Sequence, residues 1–444
     1  MKEKILALIE NGEYQNLKKD LEELNEQDIA DILEEVSSNE VIKIFRLLPK
    51  NKAADVFVYL PLDDQHEIIS LMSLKDAGSF VDMLASDDAT DLLDEMPANV
   101  VTKILANTTK ETRKGINELL KYPDSSAGSI MTLEYLDFKN NMTIGKCLEK
   151  IRKEGSDKET ITNCYVLDEN RTLLGSVEIK DLLLADIDRN ITTIMDEDVI
   201  SIDTLVDQEI AAEMFKKYDL LAMPVVDSEK KMVGIITIDD IVDILEKETN
   251  EDIAKMAAIT PSDKPYLSSS IFEIFRKRIP WLLLLMISAT FTSLIIQKYE
   301  AALATMVILT SYIPMFMDSA GNAGSQSSVT IIRSLAINEI EFRDFLKVIW
   351  KELRVSILCG LTLALANLVK LLVIDKISIK VASVVCLTLF ITIIFAKMIG
   401  STLPLIAKKL GFDPAVMASP FITTIVDAVS LIVYFNIATL ILGI

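Results

Sequence analysis

Two patterns of apolar positions divide the chain. In the first 125 residues apolar side chains fall into short amphipathic segments, several of them closed by proline. Examples are Ile44-Phe45-Arg46-Leu47-Leu48-Pro49, Val56-Phe57-Val58-Tyr59-Leu60-Pro61 and Leu92-Leu93-Asp94-Glu95-Met96-Pro97. Proline lacks the amide that a continuing helix needs, so these segments predict short helices packed side by side in a degenerate helical repeat. Toward the C-terminus the pattern changes to long, nearly uncharged apolar blocks at about 279–296, 301–332, 355–374, 381–406 and 415–442. Each is long enough to cross a bilayer, so five spans are predicted.

Between these regions a unit repeats. Its first copy reads Ala127-Gly128-Ser129-Ile130-Met131-Thr132, then Tyr165-Val166-Leu167-Asp168, then Leu174-Gly175-Ser176-Val177-Glu178-Ile179-Lys180-Asp181-Leu182. The second reads Ile194-Met195, then Met223-Pro224-Val225-Val226-Asp227, then Val233-Gly234-Ile235-Ile236-Thr237-Ile238-Asp239-Asp240-Ile241. A methionine at the start, a β-rich strand ending in Asp and a Gly-strand-Asp-helix exit occur twice in order. The pattern resembles a tandem of cystathionine-β-synthase (CBS) domains, which implies one compact α/β module. Such modules often bind adenine nucleotides, with a Thr and an Asp three residues on engaging the ribose. Thr237 and Asp240 fit that pattern, whereas Glu178 replaces the Thr before Asp181 in the first unit. A helix rich in acidic residues follows and leads to the membrane.

Charge sharpens the division. The chain carries 66 acidic and 45 basic residues, a net −21. Residues 1–260 hold −26 of this and residues 261–444 hold +5. So acidic a soluble region repels nucleic acid and attracts cations. Basic residues gather on alternate loops: Arg276, Lys277 and Arg278; Arg333, Arg343, Lys347, Lys351 and Arg354; Lys408 and Lys409. The positive-inside rule then predicts a multi-pass cell-membrane protein with its N-terminus cytoplasmic and, after five spans, its C-terminus outside. The segment Met1–Ile9 lacks the pattern of a signal peptide. Cys147, Cys164, Cys359 and Cys386 have no CxxC spacing and read as reduced packing residues. His66 is the single histidine, which disfavours a transition-metal site built on imidazole. Carboxylate oxygen, the ligand of Mg2+ and Ca2+, is abundant.

Asp427 is the one charged residue of the last apolar block. A carboxylate at bilayer depth costs at least ~2.5 kcal/mol, which marks it as a candidate cation site. The alternative is a structural Asp paired with an intramembrane lysine such as Lys397. The second block holds Pro314, Asp318 and Gly321-Asn322-Ala323-Gly324-Ser325-Gln326. These small and amide residues predict either unwound backbone along a water-filled path or close helix packing. Pro420 predicts a break in the last block, about two turns before Asp427.

Together these parts resemble the MgtE family of magnesium channels along essentially the whole chain. The most specific pieces are Gly321–Gln326 followed by Ile331-Ile332-Arg333, and Ser419-Pro420-Phe421-Ile422-Thr423-Thr424-Ile425-Val426-Asp427. The resemblance implies a multidomain membrane protein: an all-α acidic N-domain (1–125), CBS units at 126–190 and 191–246, a connecting plug helix (247–274) and a five-helix pore domain (275–444). It implies a homodimer in the lipid bilayer whose two copies of Asp427 face each other and hold hydrated Mg2+. Lining positions would be Pro314, Gly321, Asn322, Gly324, Gln326, Pro420, Thr423 and Thr424. It also implies closure by intracellular Mg2+ held by Asp55, Asp87 and Asp91, by Asp207, Glu209, Asp219, Asp240 and Asp243, and by Glu248, Glu251 and Asp252. ATP at the CBS module is the implied nucleotide. Ser419, Lys397 and Asp318 depart from the family pattern.

The predicted function is thus a Mg2+-selective channel or transporter closed by cytosolic Mg2+. The alternatives are a cation-coupled or nucleotide-regulated Mg2+/Co2+ carrier and a membrane sensor. No nucleophile–base pair or phosphate-binding glycine loop with Lys supports an enzyme.

Overall fold

Ten short helices, α1–α10, lie between α1 (Lys2–Glu10) and α10 (Lys110–Leu119). Proline separates them as predicted, but it starts the next helix as much as it ends the last. Pro49, Pro61 and Pro97 are the N-caps of α5 (Lys50–Val58), α6 (Leu62–Ser70) and α9 (Ala98–Leu105), in extended backbone with φ near its ring-fixed value. Ser73 and Thr109 cap α7 (Leu74–Val81) and α10 by accepting the amides of Asp76 and Thr112. One apolar face of each helix joins a shared core, centred on Phe45, Phe57 and Phe80 with ring centroids 4.9–5.9 Å apart.

Two three-stranded sheets follow with the same order and sense. β1 (Asp137–Lys139) runs parallel to β2 (Asn163–Leu167), which pairs antiparallel with β3 (Leu173–Glu178). β4 (Ile202–Asp203), β5 (Ala222–Val226) and β6 (Met232–Thr237) repeat this. Helices α11 (Ile144–Glu154), α12 (Ile179–Leu184) and α13 (Gln208–Tyr218) flank them, and α14 (Ile238–Met256) leaves the second. The lead-in segments are exchanged, which the repeat in sequence does not reveal. Met131 packs in the core of the second sheet, with Thr132 bridged to Ile235. Asp196 is bridged to Ser176 of the first sheet, and Met195 packs on the first core. Gly234 permits the exchange: a Cβ there would lie 2.7 Å from Met131 Sδ. Cys147 and Cys164 are free and buried in the first core, and burial pushes their thiols up to about 11 and about 12.

The coordinates are a computed structural model that describes residues 2–443 except 34, 37, 263–265, 268 and 418, and omits the side chains of 10, 38, 39, 301, 302, 305 and 419. Ser419, singled out above, thus has its side chain outside the described set. The chain divides into two compact units, Met1–Leu245 and Glu246–Ile444.

Among the described residues of the second unit, four helical segments are long and apolar enough to cross a membrane: α15 (Ile271–Lys298), the segment ending in α18 (Phe345–Val373), α19 (Ile379–Lys409) and the segment ending in α20 (Ser419–Leu442). The second predicted span differs. It is divided into α16 (Glu300–Thr305), a 3-10 turn at Val307–Tyr312 and α17 (Ile313–Ala336), whose Gly, Ser, Asn and Gln content lowers its hydropathy. α19 packs against α17, α18 and α20, and its Val384, Val385, Thr388, Ile393 and Ala396 are buried.

Of the two backbone readings of residues 321–326 the structure has close packing, and the break expected at Pro420 is corrected. Residues 321–326 are continuous helix within α17, so their carbonyls stay in the helical ladder and are not freed toward an ion. The small residues serve close packing instead, and Pro314 sits in the helix's first turn. Pro420 likewise lies in the first turn of α20, where its missing amide has no intrahelical partner to lose. The prolines inside helices are Pro280 and Pro404.

Candidate functional site

Asp427 lies eight residues into α20, about 12 Å along the axis from its start at 1.5 Å per residue. It is half-buried, next to fully buried Val426 and one turn from Leu431. Among the described residues no side chain pairs with its carboxylate. Thr423 and Thr424 donate their hydroxyls to the Pro420 carbonyl at 2.9 and 3.1 Å, and Thr424 Oγ1 is 3.4 Å from Ser288 Oγ of α15. The alternative pairing of Asp427 with Lys397 is not formed. Lys397 Nζ instead donates to Ser327 Oγ at 3.4 Å.

α17 presents two faces. Gly321 and Gly324 meet α20, where added Cβ atoms would lie 3.1 Å from Thr423 and 2.9 Å from Ile422. Asp318, Ser319, Asn322 and Gln326 lie on another face and line a cavity of about 530 Å³ with residues of α18 and α19, Lys397 among them. The lining residues predicted from sequence are therefore split. Gly321, Gly324 and Thr423 meet at the α17–α20 contact, Thr424 faces Ser288 of α15, and Asn322 and Gln326 open into a cavity that no α20 residue lines.

Within the first unit, Asp87 and Asp88 of α8 (Ser86–Asp94) face Asp240 and Glu159. Burial, and after it the neighbouring carboxylates, holds Asp87 well above the ordinary carboxylate range and Asp88 at about 7. Burial raises Asp240 to about 6, against the hydrogen bond from Thr237 Oγ1 to Asp240 Oδ2 at 2.7 Å. Asp91 adds to the charge around Asp88, and Asp243 to that around Asp240. Next to this cluster Ser86 donates to Glu134 Oε2 at 2.7 Å and accepts the Leu133 amide at 2.9 Å, so α8 is tied to the segment before β1. Sequence reasoning missed Asp88 and Glu159. An Asp-Asp pair opening a helix was the available signal for the former, and Glu159 had none.

Other predicted acids stand apart. Asp55 is exposed on α5 beside Glu26 and Lys52. Asp207 caps the start of α13 by accepting the Glu209 amide at 2.8 Å, and Asp219 ends the helix in left-handed backbone with φ 52°. Twelve residues of helix separate the two by about 18 Å, so they cannot share an ion within one chain.

In the second unit Glu251 and Asp252, at the end of α14, face Asp413 of the α19–α20 connection. Lys255 joins Asp413 at 2.7 Å and also pairs with Glu251. Asp252 is raised by burial and then by Asp413, with smaller contributions from Glu248 and Glu251. Met256 packs on Ile332 and Ala415. Asp413 was also missed from sequence, because a lone Asp in a short loop carries no pattern.

The chain is similar to known proteins over most of its length. Residues 313–437 match the family profile described as a divalent cation transporter, residues 24–125 the MgtE intracellular N domain and residues 191–247 the CBS domain. The magnesium transporter MgtE of Thermus thermophilus is 35% identical over 335 residues, covering 74% of this chain and 73% of that one. MgtE of Bacillus subtilis is 34% identical over 343 residues, covering 76% and 74%. Among solved structures, the cytosolic domain of the Mg2+ channel MgtE in complex with ATP aligns over 55% of this chain and all of its own, at 31% identity and a TM-score of 0.53. The chain belongs to the MgtE family of magnesium transporters.

Proposed function

We propose that this chain carries Mg2+ across the membrane as a homodimer, with Asp427 as the carboxylate that meets the ion. The observation that carries this reading is Asp427 itself: an acid without a side-chain partner among the described residues, in an otherwise uncharged apolar helix. Mg2+ gives up its water reluctantly, so two symmetry-related carboxylates would hold it through its hydration shell. Such outer contacts are weak enough to release the ion.

Regulation by Mg2+ fits the acids of the first unit. Asp87, Asp88, Asp240 and Glu159 repel one another electrostatically; among the described residues no three acids stand close enough to hold an ion together, so a hard divalent cation, which takes carboxylate oxygens, would draw them in. An ion there would favour the docked arrangement of α8 against the CBS module. Glu251, Asp252 and Asp413 form a second acidic group, already partly neutralised by Lys255. Helix α14 runs continuously from Asp240 to Lys255 and is the covalent link between these groups.

ATP would bind the CBS module at Thr237 and Asp240, whose side chains already meet. Exposed Leu205, Ile210 and Leu221 around α13 and Val242 on α14 supply apolar surface for a second copy. The basic residues on alternate loops favour an N-terminus in the cytoplasm and a C-terminus outside.

The test is Mg2+ flux into proteoliposomes. Asp427→Ala should abolish uptake while the protein remains folded and dimeric by size-exclusion chromatography. Uptake at the wild-type rate would remove Asp427 from the pore.

A further inference from the structure

Lys397 is the one charged side chain, among the described residues, that is buried to the level of the apolar core, at 6% exposure. It sits near the middle of α19, a helix apolar enough to cross a membrane. Its ammonium donates to Ser327 Oγ at 3.4 Å, and Ser327 Oγ donates to Glu352 Oε2 at 2.7 Å. A serine hydroxyl has one hydrogen. With that hydrogen on Glu352, the lone pairs accept from Lys397. The hydroxyl therefore bridges an ammonium of α19 and a carboxylate of α18 through α17.

The same lysine lines the cavity whose opposite wall carries Asp318, Asn322 and Gln326. Going along α17 from Asp318 to Ser327, one meets a carboxylate, two amides and three hydroxyls within about 14 Å of helix. Oxygen donors at this spacing are what a hydrated cation needs to enter. Lys397 stands between that cavity and the Ser327–Glu352 pair.

We propose that Lys397 is a tethered cation. Its ammonium fills the cation site formed by Ser327 and Glu352, and so closes the polar cavity of α17–α19 to free ions. Conduction is thereby confined to the α20 face that carries Asp427. This rests on the reading of α20 as a pore helix. The side chain is a specificity-determining residue: it never touches the transported Mg2+, but it denies Mg2+ and Na+ a second place to bind. Without its charge, Glu352 and Ser327 become open ligands behind a cavity of about 530 Å³.

Full-length protein in proteoliposomes decides this, with Na+ and Mg2+ fluxes read separately. Lys397→Gln should raise Na+ leak about tenfold over wild type. Lys397→Arg, which keeps the charge, and Lys397→Gln/Glu352→Gln, which removes the exposed carboxylate, should both stay at the wild-type level. A Lys397→Gln leak equal to wild type, or an equal leak in the double variant, overturns the proposal. If Lys397→Gln is too unstable to reconstitute, its thermal unfolding in detergent is read with and without Na+ or Mg2+. Stabilisation by either ion, absent in the double variant, supports the tethered cation; no ion dependence overturns it. The pore reading is tested apart from this in the Asp427→Ala background. There the Lys397→Gln leak should persist while Mg2+ uptake is lost. A leak that vanishes with Asp427 refutes the separate path, whereas Mg2+ uptake that survives Asp427→Ala refutes only the pore assignment.

Discussion

Gly324 and Gly400 meet backbone to backbone: a Cβ on Gly400 would lie 2.2 Å from the Gly324 carbonyl oxygen. No side-chain rotation can relieve that contact, because the obstructing atom belongs to the α17 main chain. The approach holds α17 against α19 and thereby fixes which face of α17 looks toward α20 and which toward the cavity. Gly400→Ala should therefore force the helices apart and destabilise the membrane unit by about 1–3 kcal/mol, the usual range for overpacking. A lowered unfolding temperature in detergent checks this. Unchanged stability would mean the two helices separate freely.

The acid cluster at α8 makes a pH prediction. Asp88 titrates at about 7 and Asp240 at about 6, both above the ordinary 3.8. Between about pH 4 and pH 7 the folded unit thus binds more protons than the unfolded chain. The contribution of these groups to stability is complete below about pH 4 and is lost as pH rises through 7. Mg2+ should restore it at about pH 8 and have little effect at about pH 5, where protons already occupy the carboxyls. Thermal unfolding with and without Mg2+ at both pH values reads the difference, and equal stabilisation at both would exclude this cluster as the ion's site.

Lys255 tempers the acids around it. Its side chain is about a quarter exposed, so its pairs with Asp413 and Glu251 are worth at most about 1 kcal/mol of stability. Removing it should matter more for ion demand than for folding. Lys255→Ala should raise the Mg2+ concentration needed for closure, and Asp413→Asn added to it should bring the requirement back toward wild type. Dose–response curves of flux against internal Mg2+ check both.

Thr237 and Asp240 are joined by a 2.7 Å hydrogen bond. If this pair receives the ribose of ATP, Thr237→Val should weaken nucleotide binding about fivefold to tenfold, the loss expected for one hydrogen bond of about 1–1.5 kcal/mol. Calorimetric titration of the full chain with ATP measures it. Unaltered affinity would place the nucleotide elsewhere.

Local pattern determined much of this protein. Proline spacing marked the short helices of the N-terminal region, the doubled Gly-strand-Asp pattern marked two like sheets, and the length and apolarity of the C-terminal blocks marked helices able to cross a membrane. Asp427 stood out because one charge in an apolar run is visible without any fold. What the chain's own periodicity could not decide was which surfaces meet. The exchange of Met131 and Met195 between sheets, the convergence of Asp87 with Asp240 and the approach of Asp413 to Lys255 join residues from separate elements, the last two pairs more than 150 positions apart in sequence. The split of α17 into a glycine face and a polar face was decided likewise by Gly400 and Lys397 on a distant helix. Periodicity records how a segment divides apolar from polar around its own axis. The partner of each face is chosen by close packing and charge compensation among segments remote in sequence, and those forces act only once the chain has folded.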